Sequence, residues 1–539
     1  MASIQSAMTH QPPVGGVERV YFWLVLVACL GLGSGWAAGG ERGDPNGQAE
    51  LIAKLTAENQ ADKAEAILWA QAYGYPVRYE DDQRVYELMG VWRDRPVYYV
   101  TDNVDAAISS AADRIRNLAP WQLDGSGVIL GLWDESVARA SHQEFMGGDG
   151  KPRVQAGDKG AVSSHTTHVA GTLAAGGVDP AAEGMAPAAR VQSFNWNYDS
   201  AKMASWAAYA PGQPNTIYIS NHSYGYVGGW EYVGSSGLTG HKGWHWTGLW
   251  AGNKSYDDWF GVYHAIARQW DDVAYVNGYY LAFAAAGNDR TDNPSVGETV
   301  YYSKSNIWYS IVYDPATCPP GDGVAKGGYD TICGPGVAKN IMTVGAVGDA
   351  VTNGARSLAD ANMASFSSWG PANDGRIKPD IVANGIRLYS ADSNADDSYA
   401  TYSGTSMASP NAAGSAALLV DLYQQLFPGK SMRSSTLKGL IIHTADDLGR
   451  PGPDYQFGWG LMNARAAAEL IQRQYDEPAA STLAEGRLTA NTFTSFNPDD
   501  DYYVWSDANE PLRVTLCWTD PPAVYITDFE NPAGRSSTG

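Results

Sequence analysis

The sequence predicts an α/β protein of three layers, a mostly parallel central sheet between helices, with a short β-rich segment toward the C-terminal end. Strand-like runs at residues 128–134, 217–220, 280–286 and 341–346 alternate with helix-like ones, and that alternation places parallel strands under helices on both faces. Asp134, Ser223 and Asn288 fall at or just past the carboxyl ends of these strands, where open sheets of this kind place their sites. Two helices of small residues complete the pattern, one opened by His165 and one by Ser406.

Near the N-terminal end, Arg19 precedes an apolar stretch at residues 20–32, too short to span a bilayer comfortably, and Gly35-Trp36-Ala37-Ala38 then suits cleavage after small residues. Residues 1–37 are therefore expected to be an export signal, which makes the protein secreted. Leu26-Val27-Ala28-Cys29 offers the alternative of a lipoprotein signal ending at Ala28, with Cys29 as a lipid anchor to the membrane. Residues 38–119 read as an α+β unit, alanine-rich with helical period at 48–73 and hairpin-like at 85–88 and 97–100. After Arg473 the character changes, and Tyr502-Tyr503-Val504 and the run 512–518 read as strands.

Three strings carry the chemistry: Val128-Ile129-Leu130-Gly131-Leu132-Trp133-Asp134, His165-Thr166-Thr167-His168-Val169-Ala170-Gly171-Thr172 and Gly404-Thr405-Ser406-Met407-Ala408-Ser409-Pro410. A serine hydroxyl is barely ionised at neutral pH, so as a nucleophile Ser406 needs a neutral imidazole, His165, to take its proton. The imidazole needs a buried carboxylate to fix its tautomer and stabilise its transient charge, and Asp134 ends an apolar strand. Ala284-Ala285-Ala286-Gly287-Asn288 adds a side-chain amide which, with the backbone N–H of Ser406, suits a tetrahedral oxyanion. Ser406 at a helix N-terminus also meets unpaired N–H groups that favour negative charge. His168, nearly a turn beyond His165, is read as structural.

These motifs resemble those of the subtilisin-like serine proteases, in the family's Asp, His, Ser order. The resemblance covers roughly residues 120–475 and includes Ser223-Tyr224-Gly225, similar to the substrate-pairing strand, Phe366-Ser367-Ser368-Trp369-Gly370-Pro371, Lys378-Pro379-Asp380 and Gly458-Trp459-Gly460. It implies a secreted serine endopeptidase acting through an acyl-enzyme on protein or peptide substrates, as a monomer, with no cofactor needed for the chemistry. Ser223, Tyr224, Gly225, Ala286 and Gly287 are its implied substrate-binding residues. Residues 38–119 then match the family's propeptide in placement, 120–475 the catalytic domain, and 476–539 the start of an appended β-sandwich, apparently truncated. A second cut by the chain's own Ser406 is expected within 117–123. Members often bind structural calcium, and Asp499-Asp500-Asp501 offers oxygen ligands, but no segment has metal-loop spacing and no ligands are assigned. Three departures stand out: Glu135-Ser136 where the family has Ser or Thr and then Gly, Thr166 where it has Gly, and Asn384 where it commonly has Pro.

Composition agrees. The chain has 539 residues and 44% hydrophobic content, ample for a core, and its net charge of −22 argues against nucleic acid, which rewards a basic face. Cys318 and Cys333 flank a Pro/Gly-rich loop and read as a disulfide in an oxidising compartment, with free thiols the alternative. The aromatic stretch around Trp230, His241, Trp244, His245, Trp246 and Trp250 reads as packing rather than a metal or carbohydrate surface. Small side chains at Gly225 and 284–287 predict a broad, mostly apolar pocket for the residue before the scissile bond.

Overall fold

The computed structural model describes residues 45–80, 85–92, 95–101, 107–116, 118–234, 240–255, 257–478, 482–485 and 512–523. The expected signal, Cys29 and the Tyr502-Tyr503-Val504 strand lie outside them. Among the described residues, no helix is long and apolar enough to cross a membrane.

An N-terminal unit comes first: helix α1 (Pro45–Tyr73) and strands β1 (Arg78–Glu80), β2 (Val85–Trp92) and β3 (Arg95–Thr101). The central domain follows with β4 (Ile129–Asp134), β5 (Val154–Ala156), α2 (Ser164–Ala174), β6 (Arg190–Asn195), α3 (Asp199–Trp206), β7 (Ile219–His222) and β8 (Tyr224–Tyr226). An insert supplies β9 (Trp230–Val233) and β10 (Gly243–Trp246), then α4 (Ala265–Val276), β11 (Leu281–Ala285), β12 (Thr299–Lys304) and β13 (Ile307–Val312). The domain closes with β14 (Met342–Val347), the small hairpin β15 (Val351–Thr352) and β16 (Ala355–Arg356), β17 (Ile381–Asn384), the hairpin β18 (Ile386–Ala391) and β19 (Tyr399–Ser403), α5 (Thr405–Leu426), α6 (Ser434–Thr444) and α7 (Ala464–Asp476).

The central sheet has the order β17-β14-β11-β7-β4-β6-β5 and every pairing in it is parallel. Because both faces are covered, its strands are apolar throughout: Leu130, Leu132, Ile219, Phe283, Met342 and Val344 are all buried. One face packs α2 and α5, whose alanines and glycines let backbones approach closely: a Cβ on Gly171 would sit 2.2 Å from Ser390 Oγ of β18. The other face packs α3 and α4 around Trp133, Trp196 and Trp270. α1 lies against this second face. Its Leu51 and Leu55, one turn apart, enter that core, Gln48 Nε2 donates to the carbonyls of Ala204 and Ala207 at 2.9 and 3.2 Å, and Lys54 pairs with Asp272 at 2.8 Å.

Three expectations change. Residues 107–116 belong to the central domain, since Ala112 and Ile115 join its main core and Ser110 Oγ meets Ser415 Oγ at 3.1 Å; the boundary expected at 119/120 falls inside that packed region. Leu123 is wholly buried, so a cut at 118–123 would require opening the core. Cys318 and Cys333 are free and buried in separate clusters, not joined. Residues 512–523 pair in no sheet among the described residues and run beside α6, with Arg513 Nη1 donating to the His443 carbonyl at 3.0 Å. The apolar side chains of Leu512, Val514, Leu516 and Trp518 there alternate outward, a strand-like pattern without a described ladder partner.

Candidate active site

The site forms at the carboxyl edge of the central sheet. The register Trp133↔His222 between β4 and β7 sets Asp134 and Ser223 side by side, about 4.8 Å being the spacing of neighbouring strands. Asp134 is fully buried, and its Oδ1 accepts from the Glu135 N–H at 2.7 Å and lies 2.8 Å from His165 Nδ1. His165 is the second residue of α2, whose N-cap is Ser163: the Ser163 hydroxyl accepts from the Thr166 N–H at 3.2 Å and donates to the Glu135 carboxylate. Glu135 thus ties the strand end bearing Asp134 to the cap of the helix bearing His165. Thr166 sits in α2 with no left-handed backbone, so its branched side chain is accommodated.

Ser406 is the second residue of α5. Pro410 has no N–H to give the carbonyl four residues back, which is that of Ser406. Ser223 Oγ donates to that carbonyl at 2.5 Å instead, and Ser406 Oγ donates to the Ser223 carbonyl at 3.1 Å. The proline that opens the helix ladder therefore couples Ser406 to the strand end beside Asp134. Asn288 follows β11, and its Oδ1 accepts from Thr405 N and Thr405 Oγ1 at 2.9 and 3.1 Å, while Gly287 N donates to Thr405 Oγ1 at 3.1 Å. Gly287 has φ 104°, and a Cβ there would lie 2.8 Å from Asp289 Oδ2, so only glycine fits.

A cleft of about 390 Å³ opens beside Ser406, between Tyr224, Gly225 and Tyr226 on one side and Ala285, Gly287 and Asn288 on the other. A shallow depression between Tyr218, Tyr423 and Met432 lies beside the C-terminal half of α5, away from Ser406. Ala286 does not line the cleft. Alternate strand residues face opposite sides, and Ala284 and Ala286 turn into the core while Ala285 lines the wall. Ser223 is buried and meets the site through its carbonyl.

Nor is the cleft purely apolar. Asp289 and Asp292 line it, and their carboxylates lie within 4.8 Å of each other and of Glu231. These three are the described residues placed to hold a cation, though calcium takes about six to eight oxygens. Behind them, burial and then the nearby charges of Asp292, Asp257 and Asp289 push the Asp322 carboxyl well above the usual range. Sequence patterns missed this wall because Glu231 comes from the insert, far from Asn288 in the chain, and Asp322 from the irregular stretch between β13 and β14. His168 is structural: its Nε2 meets the carbonyls of Leu388 and Ala400 at 3.1 and 3.2 Å, and burial lowers its pKa to about 3. The aromatic stretch packs as expected, in a four-stranded sheet β13-β12-β10-β9 around Trp230 and Trp246.

The exposed edge of β8 carries a peptide already. β3 pairs with it antiparallel, with Tyr99↔Tyr226, Val100↔Gly225 and Thr101↔Tyr224.

The subtilase family profile matches residues 107–460. The chain is 36% identical over 146 residues to "Serine protease AprX" of Bacillus subtilis, covering 25% of this chain and 31% of that protein. It is 29% identical over 199 residues to "C5a peptidase" of Streptococcus pyogenes, covering 33% of this chain and 17% of that protein. "Subtilisin DY" of Bacillus licheniformis is 26% identical over 350 residues, covering 64% of this chain and 92% of that protein. The chain thus spans less than a third of the length of the first two relatives. The solved structure of the CspB protease of Clostridium perfringens aligns over 68% of this chain and 99% of its own, at 16% identity and a TM-score of 0.46. With the matching profile spanning about two thirds of its length, the chain belongs to the subtilase family.

Proposed function

We propose that the chain is a serine endopeptidase in which Ser406 is the nucleophile, His165 its base, Asp134 the carboxylate that orients His165, and Asn288 with the Ser406 backbone N–H the oxyanion donors. The observation that carries the reading is the 2.8 Å contact of His165 Nδ1 with a fully buried Asp134, at the sheet edge where Ser406 is tied down. A carboxylate at Nδ1 holds the proton there, so Nε2 accepts the serine proton as Oγ attacks a peptide carbonyl. The imidazolium then protonates the leaving amine, and water enters by the same route to release the acyl group from Ser406. With Asn288 Oδ1 claimed by Thr405, Nδ2 is the end of the amide that donates to the oxyanion. Every step uses groups of this chain.

The substrate, an extended peptide, takes the place of β3 along Tyr224 to Tyr226, with the residue before the scissile bond in the cleft. Asp289 and Asp292 make that cleft more favourable to a cationic than to an anionic side chain. Residues 45–101, holding the same edge, act as a propeptide that keeps the enzyme latent. Removal follows cleavage between Thr101 and Ala107 after export directed by residues 1–37.

Hydrolysis of casein by the purified, processed chain tests the reading. Activity lost in Ser406→Ala is expected; undiminished activity in that variant, or none in a folded wild-type protein, contradicts it.

A further inference from the structure

Behind the substrate strand lies a chain of hydrogen bonds that the proposed catalytic steps do not use. Tyr224 opens β8 and turns its ring inward, where it is 1% exposed. Its hydroxyl donates to Asp199 Oδ2 at 2.9 Å and lies 2.8 Å from His222 Nδ1. His222 Nε2 is 2.8 Å from Ser220 Oγ, which in turn meets the Tyr280 hydroxyl at 2.5 Å. All five residues are buried, and they come from β7, β8, the start of α3 and the residue before β11.

The proton positions follow from the ends of the chain. Asp199 as a carboxylate only accepts, so Tyr224 spends its one proton there and accepts from Nδ1–H of His222. Nε2 is then bare and accepts from Ser220, which accepts from Tyr280. Every donor and acceptor in this order is matched with a neutral imidazole, in keeping with burial pushing the His222 pKa well below its ordinary value. His222 is further fixed between Trp133, stacked at 5.2 Å and 12°, and Trp270 at 4.3 Å.

We infer that Asp199 and His222 are positioning residues for peptide substrates: through the Tyr224 hydroxyl they fix the depth and twist of β8, the strand whose outer edge pairs with the substrate backbone. An apolar side chain at 224 would fill the same space without setting a direction, whereas a directional bond at the end of a long ring sets where the backbone stands. The adjoining Ser223 is bonded to Ser406 through both its hydroxyl and its carbonyl, so the same anchor holds the peptide-binding edge in register with the nucleophile. The inference rests on the peptidase reading above.

The test separates long substrates from a probe that never touches β8. In Asp199→Ala, KM for a tetrapeptide p-nitroanilide is expected to rise about tenfold, the equivalent of about one buried hydrogen bond. The rate of labelling of Ser406 by a small fluorophosphonate should stay within twofold of wild type. Asp199→Asn, whose amide oxygen still accepts from Tyr224, should restore KM to within about threefold. If Asp199→Ala does not fold, Tyr280→Phe, which removes only the far donor, should give a smaller KM rise in the same direction with unchanged labelling. Equal losses in labelling and peptide turnover, or a lowered melting temperature with KM unchanged, would overturn the inference while leaving the peptidase reading standing. Failure of the wild-type protein to label would overturn both.

Discussion

The two sides of the cleft are built in opposite ways. On the side of the proposed triad, each reactive group stands at the end of a regular element and bonds to the end of another: Asp134 at the end of β4 to His165 at the start of α2, and Ser406 at the start of α5 to Ser223 just past β7. On the pocket side, Asp289 and Asp292 from the loop after β11 meet Glu231 from β9, with Asp322 behind them. On the first side the small residues of α2 and α5 pack closely against the sheet beneath the reacting groups; the second gathers like charge in a largely buried wall. The first side sets its groups at the ends of regular elements, each marked by its own short string, while the second gathers its carboxylates from an inserted strand and the loop after β11.

The largest effect expected is on the triad side. Ser406→Ala or His165→Ala alone should lower turnover by about 10⁶, and the double variant hardly further, because nucleophile and base act as one unit. Additive losses in single-turnover kinetics would separate the two residues. Asn288→Ala should lower kcat by about 10² to 10³ with KM nearly unchanged, since its amide would bond charge present mainly in the transition state. A pure KM effect would move Asn288 out of the oxyanion site and into substrate binding.

The next effect concerns β3, which pairs along β8 at one wall of the cleft. N-terminal sequencing should find the mature chain starting between 102 and 107, and the Ser406→Ala protein uncut there. The link 102–106 has no Lys or Arg, so this cut depends on the high effective concentration of a tethered strand rather than on side-chain fit. Identical ends in both proteins would assign the removal to another protease. On the pocket side the effect is smallest. A peptide with Lys before the scissile bond should be cut about tenfold faster, by kcat/KM, than one with Glu, the scale of a partly screened charge pair. Asp292→Asn should narrow that ratio about threefold; an unchanged ratio would show that the wall does not face the substrate.

The same contrast explains what the sequence disclosed. The parallel sheet was legible because runs such as 128–134 and 341–346 are apolar on both faces, and the places of Asp134, His165 and Ser406 in the fold were legible because each string carries its own helix or strand end. The Ser223-to-Ser406 tie was not legible: Pro410 leaves the Ser406 carbonyl to be satisfied elsewhere, but nothing in the string names Ser223 as its partner. Ala286 was misplaced by one residue, since a run of three alanines gives no sign of which faces the cleft. The acidic wall was invisible because Glu231 and Asp289 are 58 positions apart in the chain, and the Cys318 and Cys333 thiols proved to sit in different clusters despite their short separation.

The central claim is that Ser406 is a nucleophile activated by His165. Peptide mapping of the processed protein after reaction with a fluorophosphonate tests it most directly. The adduct is expected on Ser406 alone, and His165→Ala should abolish it while the protein remains folded. An adduct on another serine, or undiminished labelling of Ser406 without His165, would contradict the account.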